Sequence, residues 1–166
     1  MMTMRPGFNE ILKRGLLVGA AGGLAEIIWV SLYAGLTGGN AAALARGVTT
    51  AVGVTALLPE SPISIGIAVH MALAVLLGVA LVGVWQTLAR RDTISLYGFM
   101  LTALAGVWAI NFFVILPVVS APFIGLLPYS VSLTSKLLFG LAAAETLRRM
   151  ALPQQAVLAT VPRRSA

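Results

Sequence analysis

Glu26, His70, Asn111 and Lys136 each interrupt a long run of apolar residues. An ionised carboxylate deep in a bilayer costs on the order of 2.5–3.5 kcal/mol or more, so Glu26 is expected to be paired, hydrated or protonated. Lys136 supplies the opposite charge, His70 a titratable imidazole, and Asn111 both a donor and an acceptor. Gathered together, the four would form either a buried ion pair with polar glue between helices or a site for a proton, an ion or a polar ligand. Arg46, between two apolar runs, is placed to cap such a cluster.

Ser132 and Lys136, four residues apart, would share one helical face as a serine–lysine nucleophile pair requires. No nucleophile elbow, phosphate-binding loop, H-E-x-x-H helix or dinucleotide fingerprint accompanies them. The chain is therefore expected not to be an enzyme. It has no cysteine and one histidine, so it supplies no thiolate metal site, iron–sulfur cluster or bis-histidine haem by itself. No metal and no cofactor is expected.

The elements that must position these side chains are apolar helices. Of 166 residues, 59% are hydrophobic and 10% charged, too little polar surface to cover a fold in water. A helix crossing roughly 30 Å of hydrocarbon needs about 20 apolar residues. Four stretches qualify, at about 15–36, 63–89, 94–117 and 126–147, and predict an all-α membrane protein of four transmembrane helices. A 1–14 segment precedes this 15–150 domain, and a mobile 151–166 tail follows it. The basic start reads as part of the first permanent helix, because its apolar run is longer than a signal peptide's.

Charge fixes the expected topology. With four crossings, Arg5, Lys13, Arg14, Arg90, Arg91, Arg148, Arg149, Arg163 and Arg164 share one side, leaving Arg46 opposite and Lys136 in the membrane. The positive-inside rule then makes both termini cytoplasmic, in a bacterial inner membrane. A fifth crossing at 41–58 would carry the later arginines to the other side, so that segment reads as a short interfacial helix. The net charge of +6 belongs to this pattern and does not imply nucleic acid.

Small residues recur at helical spacing. Gly15, Gly19 and Gly23 share a face with Glu26, while Gly66, His70, Ala74 and Gly78 parallel Ser132, Lys136, Gly140 and Ala144. Gly15, Gly19, Gly23, Gly66, Gly78 and Gly140 are expected to let helices approach closely. The second match suggests a parallel repeat of two hairpins about an axis along the membrane normal. Trp29, Tyr33, Trp85, Tyr97 and Tyr129, near helix ends, read as interface anchors, and Trp108 as packing beside Asn111.

The stretch from Trp108 through Asn111 to Pro117, then Ser132 through Lys136 to Gly140, resembles a pattern in small uncharacterised bacterial four-helix inner-membrane proteins. Pro62 to Gly78 resembles their second helix, so the likeness covers about residues 60–147. It implies a four-helix membrane fold and names no substrate. In that pattern a histidine often stands where this chain has Lys136.

The function expected first is an accessory or scaffold subunit, packing in the bilayer against itself as a homo-oligomer or against other membrane subunits. The alternative is a small oligomeric transporter or channel whose polar site lies in the outer half of the bundle. A weaker one is a quinone- or lipid-binding protein, with His70 and Lys136 at the ligand's polar end.

Overall fold

The computed structural model describes residues 7–54, 63–88 and 94–160, the side chains of 152–160 apart. All regular elements among them are helical: α1 (Phe8–Thr37), α2 (Ala41–Ala51), α3 (Ile63–Leu88), α4 (Leu96–Ile110), α5 (Leu116–Val119), α6 (Ala121–Ile124) and α7 (Tyr129–Thr160). A π-helical turn, Asn111–Ile115, joins α4 to α5.

Among the described residues, three helical stretches are long and apolar enough to cross a membrane: Phe8–Thr37, Ile63–Leu88 and Leu96–Val119. The chain is thus a membrane-embedded, multi-pass protein in its coarse outline. α7 is the least apolar long helix, because Lys136, Glu145 and the hydroxyls of Ser130, Ser132, Thr134 and Ser135 lie along it.

Helix ends follow local chemistry. The Asn40 side chain accepts from the Ala43 N–H at 3.1 Å to start α2, and Ser95 Oγ accepts from the Gly98 N–H at 3.0 Å to start α4. Gly38, at φ 69°, closes α1 in the left-handed conformation that glycine adopts without strain.

Four boundaries depart from the sequence reading. α1 begins at Phe8 and not near residue 15, since Glu10 and Arg14 pair across one turn at 2.9 Å and sustain helix where hydropathy shows none. The helix expected over 41–58 is interrupted after Ala51 by a turn at Val52 and Gly53, the latter left-handed at φ 77°; Val54 is helical again, and residues 55–58 lie outside the described residues. Residues 126–128 precede α7, which starts after Pro128, the carbonyl of which accepts from the Val131 and Ser132 N–H groups. At its other end α7 continues to Thr160, through most of the segment read as a mobile tail.

The helices pack in a row, α3–α1–α7–α4, and α2 lies on α3. α1 runs antiparallel to α3, since Gly15 faces Val79 and Gly23 faces Met71. It is also antiparallel to α7, with Gly22 against Phe139 and Trp29 bonded to the Val131 carbonyl. α3 and α4 touch only sparingly, near the tilted rings of Trp85 and Phe99, 5.5 Å apart. A two-fold repeat of hairpins would make the α1–α7 and α3–α4 contacts equivalent, and they are not. The buried apolar core, Val18, Leu81, Val82, Met100, Leu104, Phe139, Ala143, Ala144 and Leu147, fills one half of the row. The other holds the buried polar side chains Glu26, Ser132 and Ser135 beside buried Ala34, Phe112 and Val131.

Candidate functional site

Glycine spacing puts the carboxylate where it is. Gly15, Gly19 and Gly23 lay α1 directly on α3, where Gly78 faces the Gly15 carbonyl and the Gly19 backbone. A Cβ on Gly19 would come within 2.5 Å of the Val75 Cα, so the two backbones meet with no room for a side chain. Gly22, which the four-residue stripe skips, faces α7, where a Cβ would press into the Phe139 ring. One turn further, Glu26 emerges in the seam between α3 and α7, only 3% exposed.

Three side chains converge on it. Lys136 Nζ lies 2.7 Å from Oε1 and 3.0 Å from Oε2, and Ser135 Oγ donates to Oε1 at 3.3 Å. His70 Nε2 stands 3.6 Å from Oε2. The Lys136 ammonium also lies 5.8 Å from the centroid of the Phe139 ring, within cation–π range. Such an arrangement holds a charge pair in a poorly solvated place, and breaking one partner away costs about 3–5 kcal/mol.

Asn111 and Arg46 do not join it. Gly140 lies beside Met100 and Trp108 Nε1 donates to Ser132 Oγ at 3.0 Å, which fixes the α4–α7 register. Lys136 is therefore level with Leu104, and Asn111 stands seven residues beyond, about 10 Å along the helix at 1.5 Å per residue. Arg46 is exposed on α2, and no ion pair links it to the cluster among the described residues. Gly66, at the start of α3, packs against the Ala45 carbonyl of α2.

The tryptophans serve the helix contacts more than the surface. Trp29 Nε1 donates to the Val131 carbonyl at 3.1 Å, tying α1 to α7 one turn from the ion pair. Trp108 stacks on Phe112 at 5.5 Å and meets Phe113 and Tyr129 edge-on.

Two polar groups escape a reading based on interrupted apolar runs. Ser135 is 6% exposed and shares with Ser132 and Phe139 the α7 face turned inward; its i, i+3, i+7 spacing with Phe139 was the available signal. Glu145 collects the Tyr97 hydroxyl at 2.6 Å, Arg148 at 2.7 and 2.8 Å, and Arg149 at 2.6 Å. Its hydrogen bonds raise the Arg148 guanidinium further above its ordinary range. The i, i+3 and i, i+4 spacing foretells the arginines, while Tyr97 reaches in from another helix.

Among the described residues, no three His, Asp or Glu side chains come together as metal ligands. An apolar groove of about 360 Å³, lined by Ile94, Gly98, Phe99, Thr102 and Ala103, runs along α4 and includes none of the polar cluster. Compared with known proteins, the chain matches no family model, no curated protein and no solved structure.

Proposed function

We propose that this is a non-catalytic integral membrane protein of four crossings, with both termini on the cytoplasmic side of a bacterial inner membrane, acting as an accessory or scaffold subunit. The observation that carries it is the Lys136–Glu26 pair, with the carboxylate buried, which ties α7 to α1 where the two helices pack. A helix held between α1 and the Leu96–Val119 stretch, both long enough to cross, is read as sharing their span despite its lysine. The one-sided arginines support the orientation, and α2, short and packed on the first turn of α3, suits an interfacial place. Large apolar side chains such as Leu17, Ile28, Leu36, Leu76 and Val118 are exposed around the bundle, offered to lipid or to other membrane chains. The resemblance to small four-helix inner-membrane proteins is part of the same proposal.

The test is the native mass of the protein after mild solubilisation from its own membrane, with co-purifying chains identified. A stoichiometric complex with other membrane subunits is expected. A homo-oligomer without partners would overturn the accessory reading and favour a second one, the small transporter or channel. That second reading rests on the residual exposure of the His70 and Lys136 side chains, 26% and 20%, beside a buried carboxylate.

A further inference from the structure

His70 differs from the other members of the polar cluster in what it lacks. Both oxygens of Glu26 have donors, whereas the solvent-shielded Nε2 of His70 makes no hydrogen bond among the described residues. Its separation from Glu26 Oε2 is 3.6 Å, beyond the roughly 2.7–3.2 Å of an N–H···O bond. The backbone of Gly23 is the other polar group beside the same ring. A neutral imidazole has a single N–H. With that hydrogen on Nδ1 and directed to Gly23, Nε2 turns a lone pair toward a carboxylate oxygen that likewise has only lone pairs. One proton between them turns two opposed acceptors into a hydrogen bond.

We propose that His70 is a proton-binding site: Nε2 accepts a proton from hydronium, leaving water, and donates it in a hydrogen bond to Oε2 of Glu26. The N–H bond forms as an O–H bond of the donor hydronium breaks, and nothing else in the cluster changes covalently. Glu26, Lys136 and His70 together pass from net zero to +1. The side chain is 26% exposed, which gives the proton a way in.

The surroundings determine how strongly the proton is held. Glu26 on α1 attracts it and Lys136 on α7 repels it. α2, packed on α3, contributes exposed Arg46 and no acid, and α3 carries no second titratable side chain. The only ionisable side chain of α4 is Tyr97, at the other end of the bundle beside Glu145. Glu26 is therefore the one acid facing the ring among the described residues. Once protonated, His70 shares the carboxylate with Lys136, so the proton shifts the hold of α1 from α7 toward α3. This inference goes beyond the proposed function and holds equally for a scaffold or a transporter.

The chain has one histidine, so its imidazole resonances need no assignment. Protein labelled with ¹⁵N-histidine, in lipid nanodiscs, is titrated between about pH 4 and pH 9 around the ordinary histidine range. The expected result is an Nδ1–H tautomer with bare Nε2 at high pH, converting reversibly to the doubly protonated ring. Glu26→Gln should weaken proton affinity about tenfold or more, a downward shift of about one pH unit, and Lys136→Met should strengthen it. An Nε2–H tautomer throughout, an unprotonated ring at the lowest pH, or a midpoint unmoved by Glu26→Gln would each overturn the proposal. If the variants do not fold, the wild-type tautomer and titration decide alone.

Discussion

Gly22 of α1 lies against the ring of Phe139 in α7, one turn from the place where Glu26 meets Ser135 and Lys136. This tight apolar approach of the two helices and their ion pair are therefore parts of one contact. A Cβ at position 22 would stand 2.5 Å from a ring that is fully buried. Gly22→Ala should destabilise the bundle by about 1–3 kcal/mol, the usual cost of overpacking. Thermal unfolding in detergent measures it, and an unchanged midpoint would mean that Phe139 moves freely.

The pair itself is open to a double-mutant cycle. Glu26→Gln and Lys136→Met should each cost about 3–5 kcal/mol, because each leaves a buried charge without its partner. The double variant should be less damaged than either single one. Losses that simply add would show that the two side chains do not stabilise each other.

How far these contacts were legible in the sequence depended on what fixes them. That Glu26 needed a cation followed from its type and its place in an apolar run. Its pairing with Lys136 and not Asn111 depends on register, and the α4–α7 register is fixed by Gly140 at Met100 and Trp108 at Ser132, contacts invisible until two helices are laid together. The row α3–α1–α7–α4 was likewise beyond reach. Matching stripes on two helices say that each packs against something small, and not that the same neighbour lies in the equivalent place. A turn at Val52 and left-handed Gly53 interrupts the helix expected over 41–58, and a glycine within an apolar stretch gives no advance notice of turning left-handed.

Trp29→Phe removes the donor to the Val131 carbonyl while keeping most of the ring. The loss should be about 0.5–1.5 kcal/mol, the net worth of one hydrogen bond. Ile28→Ala, next to it but 65% exposed, should stay within about 0.5 kcal/mol. Equal effects at the two positions would mean that Ile28 is covered by another chain.

At the arginine-rich end, Glu145→Gln removes the negative charge and one of the two acceptor oxygens shared by Tyr97, Arg148 and Arg149. The group is exposed, so the stability change should be small and should vanish in high salt. A large, salt-independent loss would place the carboxylate in a drier setting.

Cysteine labelling tests the crossings, because the chain has no cysteine of its own. Single cysteines at Thr50 and Gly125 should react with an impermeant reagent added outside intact cells. Cysteines at Ser95 and Arg149 should react only after permeabilisation. Reaction of Ser95 from outside would overturn the four-crossing topology.

The π-helical turn leaves α4 with length to spare. The Leu116 N–H reaches back five residues to the Asn111 carbonyl, so this turn holds one residue more than the α-helical winding before and after it. Pro117 follows directly, and in uninterrupted α-helix its ring would crowd the carbonyl four residues back, where it has no N–H to offer. Trp108 meets Ser132 before the turn and Phe123 meets Gly47 after it, so the extra residue is taken up between two fixed contacts.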